Sequence, residues 1–292
     1  MDKQLPFVSV IVPTFHDWGR LKLCIDALAN QTYPKNRFEV LIVNNDPSDP
    51  CPYGYLPDNI ILITEGKPGS YAARNAGIKI AKGEILAFTD ADCIPYSDWI
   101  EQGVNILLKG AKRVAGRIEL FYKSDKPTIA EIYEKLFGFE HKKSTQTGGA
   151  FTANMITWKE NFEKVGLFND SLMSGGDNEW GWRAQDEGIS VVYAPSVVVR
   201  HPARNSIMEI LRRNKRIVGG ACNIAKFRKI ENKIWFFTGL VPPVGVFKTI
   251  FKRKDLVFWE KISTYMLFYF FKLHRTCYRS LLLIGVFKPT RQ

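Results

Sequence analysis

The stretch Ile85-Leu86-Ala87-Phe88-Thr89-Asp90-Ala91-Asp92 decides how this chain is read. An apolar run ends abruptly in two carboxylates two residues apart. Apolar residues without polar alternation suit a strand covered on both faces, as in sheets joined by helical crossovers. Two acids at the end of such a strand repel each other unless a cation compensates. Oxygen ligands of this kind suit Mg²⁺ or Mn²⁺, ions that usually also bind the phosphates of a substrate. Taken alone, the triplet also fits a pair of solvated loop acids.

The flanking sequence repeats the strand pattern. Phe7–Val12 is a second apolar run, closed by Pro13; Phe38–Val43 and Ile60–Ile63 are two more. Between them, residues 19–30 carry Leu21, Cys24, Ile25 and Leu28 at helical spacing, and Ser70–Ala81 is an alanine-rich helix with Ser70 placed as its N-cap. Asp98–Leu108 is expected to be a further helix. Strand and helix alternating at this rhythm mean a mostly parallel sheet covered by helices. Ligands of such sheets bind beyond the carboxyl ends of the strands. Polar residues stand at those places: Pro13-Thr14-Phe15, Asn44-Asn45-Asp46 and Asp90-Ala91-Asp92. The loop Gly66-Lys67-Pro68-Gly69 opens the helix that carries Arg74, and a helix N-terminus is a ready site for phosphate. Further on, Val114–Phe121 and Ser190–Val199 read as strands, and Ile129–Phe139 and Trp158–Val165 as helices. Ser206–Gly219 reads as a helix opened by the capping box Ser206-Ile207-Met208-Glu209, with the basic cluster 212–216 on its surface. His141–Phe151 suits either a mobile acceptor loop or a purely structural connection.

The five cysteines are scattered and form no CxxC pair, which argues against a disulfide framework or a zinc site and for reduced thiols. The N-terminal apolar stretch is short, β-branched and broken by Pro13, so it reads as a strand rather than a signal peptide. The expected location is therefore the cytoplasmic side. Net charge is uneven: residues 201–292 hold 19 Lys/Arg and 4 Asp/Glu, a net of +15, which leaves −3 for residues 1–200. A basic tail on a nearly neutral body points to an anionic partner. Trp235–Phe247, Thr264–Phe271 and Leu281–Phe287 are apolar or aromatic, with Lys252-Arg253-Lys254, Lys272, Arg275 and Arg279 between them. None reaches the roughly 20 residues that span a bilayer. Such segments suit a membrane interface, the alternative being a helical cap on the body. Nucleic acid is not the expected partner, because no recognised module is present and the acidic sheet edge would repel phosphates without a metal.

In these blocks the chain resembles family 2 of the glycosyltransferases. The matching residues are Val8–Phe15, Gln31-Thr32-Tyr33-Pro34, Phe38–Val43, Ala73-Arg74-Asn75-Ala76-Gly77 and Gly83–Asp92. Gly176-Asp177-Asn178-Glu179, Trp182-Arg183, Gly188 and Val197–His201 follow in the family's order. The resemblance implies an α/β chain with the glycosyltransferase A fold, a Rossmann-like, mostly parallel central sheet flanked by helices. It places the catalytic domain at residues 1–230 and leaves residues 231–292 as a basic, aromatic-rich, helical, membrane-associating extension.

The same resemblance implies roles. Pro13, Thr14, Asn45 and Asp46 would hold the base and ribose of a nucleotide-sugar donor, a UDP-sugar first among them. Arg74 would contact the nucleotide side of the donor, with Asp90 and Ala91 also among the donor-binding residues, and Asp90 and Asp92 would hold the ribose and the diphosphate-bound metal. Asp90, Asp92 and His201 would be the ligands of Mn²⁺ or Mg²⁺, with Asp92 the more direct contact. Asp177 would be the general base of an inverting, hexosyltransferase-like transfer to a saccharide or lipid-linked hydroxyl. Glu179 is the second candidate base. The setting would be envelope polysaccharide or glycoconjugate synthesis, peripheral or monotopic at the cytoplasmic face of the cell membrane and against its anionic surface. The alternative is a non-catalytic nucleotide-sugar binder or membrane scaffold. Two departures stand out. The family often has Asp where Asn44 and Asn45 stand, and an acid where Gly176 precedes Asp177.

Overall fold

The structure, a computed structural model, describes residues 5–227 and 239–287. The first strand, β1 (Val8–Thr14), leads into helix α1 (Trp18–Ala29). Strands β2 (Phe38–Asn44) and β3 (Ile60–Thr64) follow, then α2 (Ser70–Ile80), β4 (Ile85–Thr89), the short β5 (Ile94–Pro95) and α3 (Trp99–Leu108). Next come β6 (Arg113–Phe121), α4 (Ile129–Phe137), α5 (His141–Thr145), β7 (Asn154–Trp158), α6 (Glu160–Val165) and α7 (Gly176–Asp186). The chain continues as β8 (Val191–Pro202), α8 (Ile207–Phe227), α9 (Val244–Phe251) and α10 (Phe258–Leu283).

The strands form one sheet in the order β3-β2-β1-β4-β7-β6-β8-β5. β3, β2, β1 and β4 run parallel; β7 is antiparallel to both β4 and β6, while β6 and β8 are parallel. The chain order reverses between β1 and β4, so the crevice beyond their carboxyl ends is the switch point where ligands of such sheets sit. Thr14 and Asp90 stand at those two ends. Every residue of β2 and β4 is buried, as strands covered on both faces require.

A buried polar hub sets the middle of the sheet. Trp99 Nε1 donates to Asn154 Oδ1 at 2.9 Å, and Asn154 Nδ2 donates to the carbonyls of Arg117 and Val197 at 2.8 and 3.0 Å. These bonds occupy the register shift of β6 between Gly116 and Arg117. A side chain at Gly116 would start 2.3 Å from the Asn154 amide, so the irregularity depends on glycine.

Contacts divide the chain into two compact units: residues 1–121, 140–171 and 176–202, and residues 122–139, 172–175 and 203–292. The first contains the sheet. The second contains α4, α8, α9 and α10, with a core of Ala130, Tyr133, Ile210, Leu267 and Phe271. Glu134 is fully buried there and accepts hydrogen bonds from Arg204 at 2.7 Å and Arg213 at 3.1 Å. The boundary expected at residues 230–231, and residues 235–238 of the apolar run beginning at Trp235, lie outside the described residues. No helix among the described residues is long and apolar enough to cross a membrane.

Several local expectations change. Ser70 is the first residue of α2, not its cap: Gly69 holds the cap position at φ 126°, and no side chain caps the helix. The Gly69 N–H instead donates to Asn45 Oδ1 at 2.8 Å, so the helix start is held from the end of β2. Trp158 ends β7, paired with Ile85, and does not begin a helix. Of the basic cluster 212–216, Arg213 turns inward to Glu134 and Asn214 is buried. Glu209 reaches back to the N–H of Asn205, while its own N–H is capped by Ser206.

Candidate active site

At the carboxyl end of β4 the two acids part company. Asp90 accepts a charge-assisted hydrogen bond from Arg74, whose side chain is almost wholly buried. Asp92 faces His201, with Oδ2 3.5 Å from Nε2, and Arg20 Nη1 at 3.6 Å. β8 runs to Pro202, beyond the expected strand end at Val199, and thereby carries His201 to this place. His201 Nδ1 lies 2.7 Å from the Pro202 carbonyl. A carbonyl can only accept, so Nδ1 donates to it, and Nε2 is the ring nitrogen that faces the Asp92 carboxylate. A ring nitrogen and a carboxylate oxygen this close are both possible ligands of a cation, and the carbonyl behind the imidazole fixes the orientation of the ring.

Helix α2 links this end of the sheet to α7. Arg74 packs over the ring of Tyr71, its guanidinium carbon 5.7 Å from the centroid. Tyr71 donates its hydroxyl to Asp177 Oδ1 at 3.2 Å, and the Asn178 N–H donates to the same oxygen at 2.9 Å. Burial pushes the Tyr71 hydroxyl well up, so it stays protonated as a donor. Burial also raises the Asp177 carboxyl above the ordinary range, opposed by the Asn178 N–H, Arg74 and Tyr71. Asp177 is the second residue of α7 rather than its cap, because the helix begins at Gly176. An acid at Gly176 would displace the Tyr71 ring, since a Cβ there would lie 2.8 Å from it. Glu179 is committed to Arg183, at 2.8 Å to Nε and 3.1 Å to Nη2, and Arg183 also caps the carbonyls of Val165 and Leu167. Of the two candidate bases, Glu179 is thus taken up by an ion pair, while Asp177 is a buried carboxyl with a raised pKa.

The wall formed by β1 and β2 is polar but partly spent. Asn44 Nδ2 donates to the carbonyls of Asp46 and Asp49, and Asn45 Nδ2 to those of Glu65 and Lys67. Asn45 thus braces the 65–69 loop. Asp46 accepts from the N–H and hydroxyl of Ser48 and pairs with His16 at 2.8 Å; the Ser48 hydroxyl first, then its N–H and His16, lower its pKa to about 2. Pro13 is half-buried, and Thr14 is buried with no hydrogen-bond partner for Oγ1. Ala91 is buried between the two acids. Thr14 Oγ1 is thus an unpartnered buried polar atom at the switch point of the sheet.

The segment 141–151 is pinned, not loose. His141 donates from Nδ1 to the Gly116 carbonyl at 2.7 Å and accepts the Phe151 N–H on Nε2 at 2.8 Å. Arg113, fully buried, donates to the carbonyls of Gly148, Gly181 and Ile189, tying this segment to α7. Desolvation pulls its pKa down to about 10.

A profile described as Glycosyl transferase family 2 matches residues 9–165, more than half of the chain. The chain belongs to glycosyltransferase family 2. Among its relatives is Glycosyltransferase AglE of Haloferax volcanii, 36% identical over 256 residues that cover 83% of this chain and 84% of the relative. A dolichyl N-acetyl-α-D-glucosaminyl phosphate 3-β-D-2,3-diacetamido-2,3-dideoxy-β-D-glucuronosyltransferase of Methanococcus voltae is 24% identical over 250 residues, covering 79% and 77%. The mannosyltransferase PcManGT of Pyrobaculum calidifontis, solved with GDP-Man and Mn²⁺, superposes with a TM-score of 0.65 at 19% identity, covering 96% of this chain and 88% of that one. The fold is the glycosyltransferase A fold expected from the sequence, with a C-terminal helical extension.

Tyr71, Arg20 and Cys93 were not singled out in the sequence. Tyr71 stands one helical turn before Arg74 on the same helix, a visible signal, but its partner Asp177 is 106 residues away.

Proposed function

We propose that the chain is an inverting glycosyltransferase that transfers a sugar from a nucleoside diphosphate sugar to an acceptor hydroxyl with Asp177 as general base. The observation that carries this is the line Asp90–Arg74–Tyr71–Asp177, which joins the donor end of the sheet to a desolvated carboxylate. Pro13, Thr14, Asp46, Arg74, Asp90 and Ala91 line the donor side, and Asn45 shapes it through the 65–69 loop. A UDP-sugar is the first donor to test, and GDP-mannose, which the Pyrobaculum enzyme holds, is the second.

The residues fit a divalent metal. Asp92 and His201 point an oxygen and an oriented imidazole at each other, and Asp90 is the further ligand candidate. Bound Mn²⁺ or Mg²⁺ would supply positive charge against the departing diphosphate. Asp177 Oδ1 is occupied by Tyr71 and Asn178, so Oδ2 takes the proton of the acceptor hydroxyl. Its raised pKa makes it a stronger base than a solvated carboxylate. Arg74 holds Asp90 in place. Attack from the face opposite the diphosphate inverts the anomeric centre in one displacement.

The acceptor we propose is a lipid-linked saccharide, as the name of the Methanococcus relative describes for that enzyme. Val257, Phe258 and Trp259 at the start of α10 are exposed, beside exposed Lys252 and Lys254. Apolar and cationic groups together suit the anionic cytoplasmic surface of a membrane. The test is transfer from a panel of UDP- and GDP-sugars to lipid-phosphate-linked saccharides, by wild type and Asp177→Asn. Product with inverted anomeric configuration from wild type alone supports the reading. Donor binding without turnover on any acceptor supports a nucleotide-sugar binder instead.

A further inference from the structure

The residue following the acid pair, Cys93, is fully buried, and its Sγ lies against the Ala153 carbonyl at 3.8 Å. It also belongs to the cation locus. One oxygen of Asp92, one ring nitrogen of His201 and the Cys93 sulfur all lie within 4.8 Å of one another. A carboxylate, an imidazole and a thiol are not the ligand set of Mg²⁺ or Mn²⁺, which prefer oxygen; they are that of Zn²⁺.

We propose that Cys93 completes, with Asp92 and His201, a site for a thiophilic divalent cation of the Zn²⁺ type, exclusive with Mn²⁺ or Mg²⁺ at the same place. This rests on the reading of Asp92 and His201 as a metal locus given above. The geometry supports it on three counts. Ligands at about 2.0–2.1 Å from a tetrahedral ion sit roughly 3.3 Å apart. Asp92 Oδ2 and His201 Nε2 are already 3.5 Å apart. The bond from His201 Nδ1 to the Pro202 carbonyl fixes the tautomer whose Nε2 can ligate. The sulfur lies within 4.8 Å of the Asp92 oxygen and of a His201 ring nitrogen, against the roughly 3.6 Å expected between sulfur and nitrogen ligands, so a shift of about an ångström brings it into range. On binding, the S–H bond breaks, the proton leaves to solvent and the sulfur lone pair forms the bond to the metal, with no change of oxidation state. Zn²⁺ exceeds Mn²⁺ in affinity for nitrogen and sulfur ligands, so trace Zn²⁺ would displace the weaker ion.

The test uses the full chain and the metals alone. Co²⁺ is the optical probe, because a thiolate ligand gives a near-ultraviolet sulfur-to-cobalt band. Zn²⁺ affinity is read by competition with a chromophoric chelator and Mn²⁺ affinity by electron paramagnetic resonance. Wild type is expected to give the band and to bind Zn²⁺ and Mn²⁺ in competition. Cys93→Ser and Cys93→Ala should lose the band and weaken Zn²⁺ by at least about tenfold, more than they weaken Mn²⁺. His201→Ala should lose the band too, which separates this thiol from Cys24, Cys51, Cys222 and Cys277. If Co²⁺ binds with no sulfur band, if Mn²⁺ binds but Co²⁺ and Zn²⁺ do not, or if both Cys93 variants keep the Zn²⁺ affinity of wild type, the inference is overturned while the metal locus stands. If wild type binds none of these ions, the locus itself fails, and this inference with it.

Discussion

Replacing His141 by Gln removes a titratable group while keeping one donor and one acceptor. In the native chain the neutral ring donates to the Gly116 carbonyl and accepts the Phe151 N–H, and burial pulls its pKa from 6.5 to about 4. The gap between those values, at about 1.4 kcal/mol per pH unit, corresponds to about 3 kcal/mol. The sign follows from proton binding. Between pH 6.5 and about 4 the unfolded chain binds this proton and the folded chain does not, so stability falls as pH falls. Above 6.5 the contribution is complete, and below about 4 the loss levels off. The fold resists the charge because the ring is buried, and a protonated ring would also turn a second N–H against that of Phe151. Urea unfolding followed across pH 4–8, in steps of about half a unit, measures the effect in both proteins. The wild type should lose about 3 kcal/mol more than His141→Gln over this interval. Carboxylates titrate in both proteins and cancel in the difference. If the two stabilities run parallel across the whole range, the neutral, doubly bonded His141 is wrong.

Asp177→Asn should lower turnover by roughly a hundred- to ten-thousand-fold, measured as initial rates, while donor affinity by calorimetry stays near wild type. The same substitution should raise the melting temperature at neutral pH. Burial raises the Asp177 pKa, so ionisation costs the folded state, and that cost disappears once the pH drops below the ordinary carboxylate range. Glu134→Ala leaves two arginines of the second unit without their buried partner and should cost about 3 kcal/mol in urea unfolding. The double variant Phe258→Ala, Trp259→Ala should sediment less with vesicles containing anionic lipid, and added salt should weaken wild-type binding further.

The parallel strands were legible because each is an apolar run closed by turn residues, and β2 and β4 are buried along their whole length. The acid pair stood out from its position directly after such a strand, whereas Asp177 and His201 were named only through the resemblance to the family. The division of labour between Asp90 and Asp92 was not legible, since it is set by Arg74 and His201 arriving from α2 and β8. Ser70 looked like a cap because serine favours that position, but a long-range bond from Asn45 overrode the local preference. His141–Phe151 looked loose from its glycines, yet two buried side chains, neutral His141 and charged Arg113, hold it through backbone groups that no sequence pattern announces. Cys93 carried no signal in the sequence because it has no CxxC partner, and His201, which folding brings within reach of it and its neighbour Asp92, lies more than 100 residues away.

The measurement that bears most directly on the central claim is calorimetric binding of UDP and GDP, with Mn²⁺ and with chelator, to wild type and Asp92→Ala. A donor site built around Asp92 and His201 requires one of the two nucleotides to bind wild type with Mn²⁺, to lose that binding with chelator, and to bind Asp92→Ala weakly or not at all. Binding that ignores both the chelator and the loss of Asp92 would contradict a metal-bound diphosphate at this sheet edge.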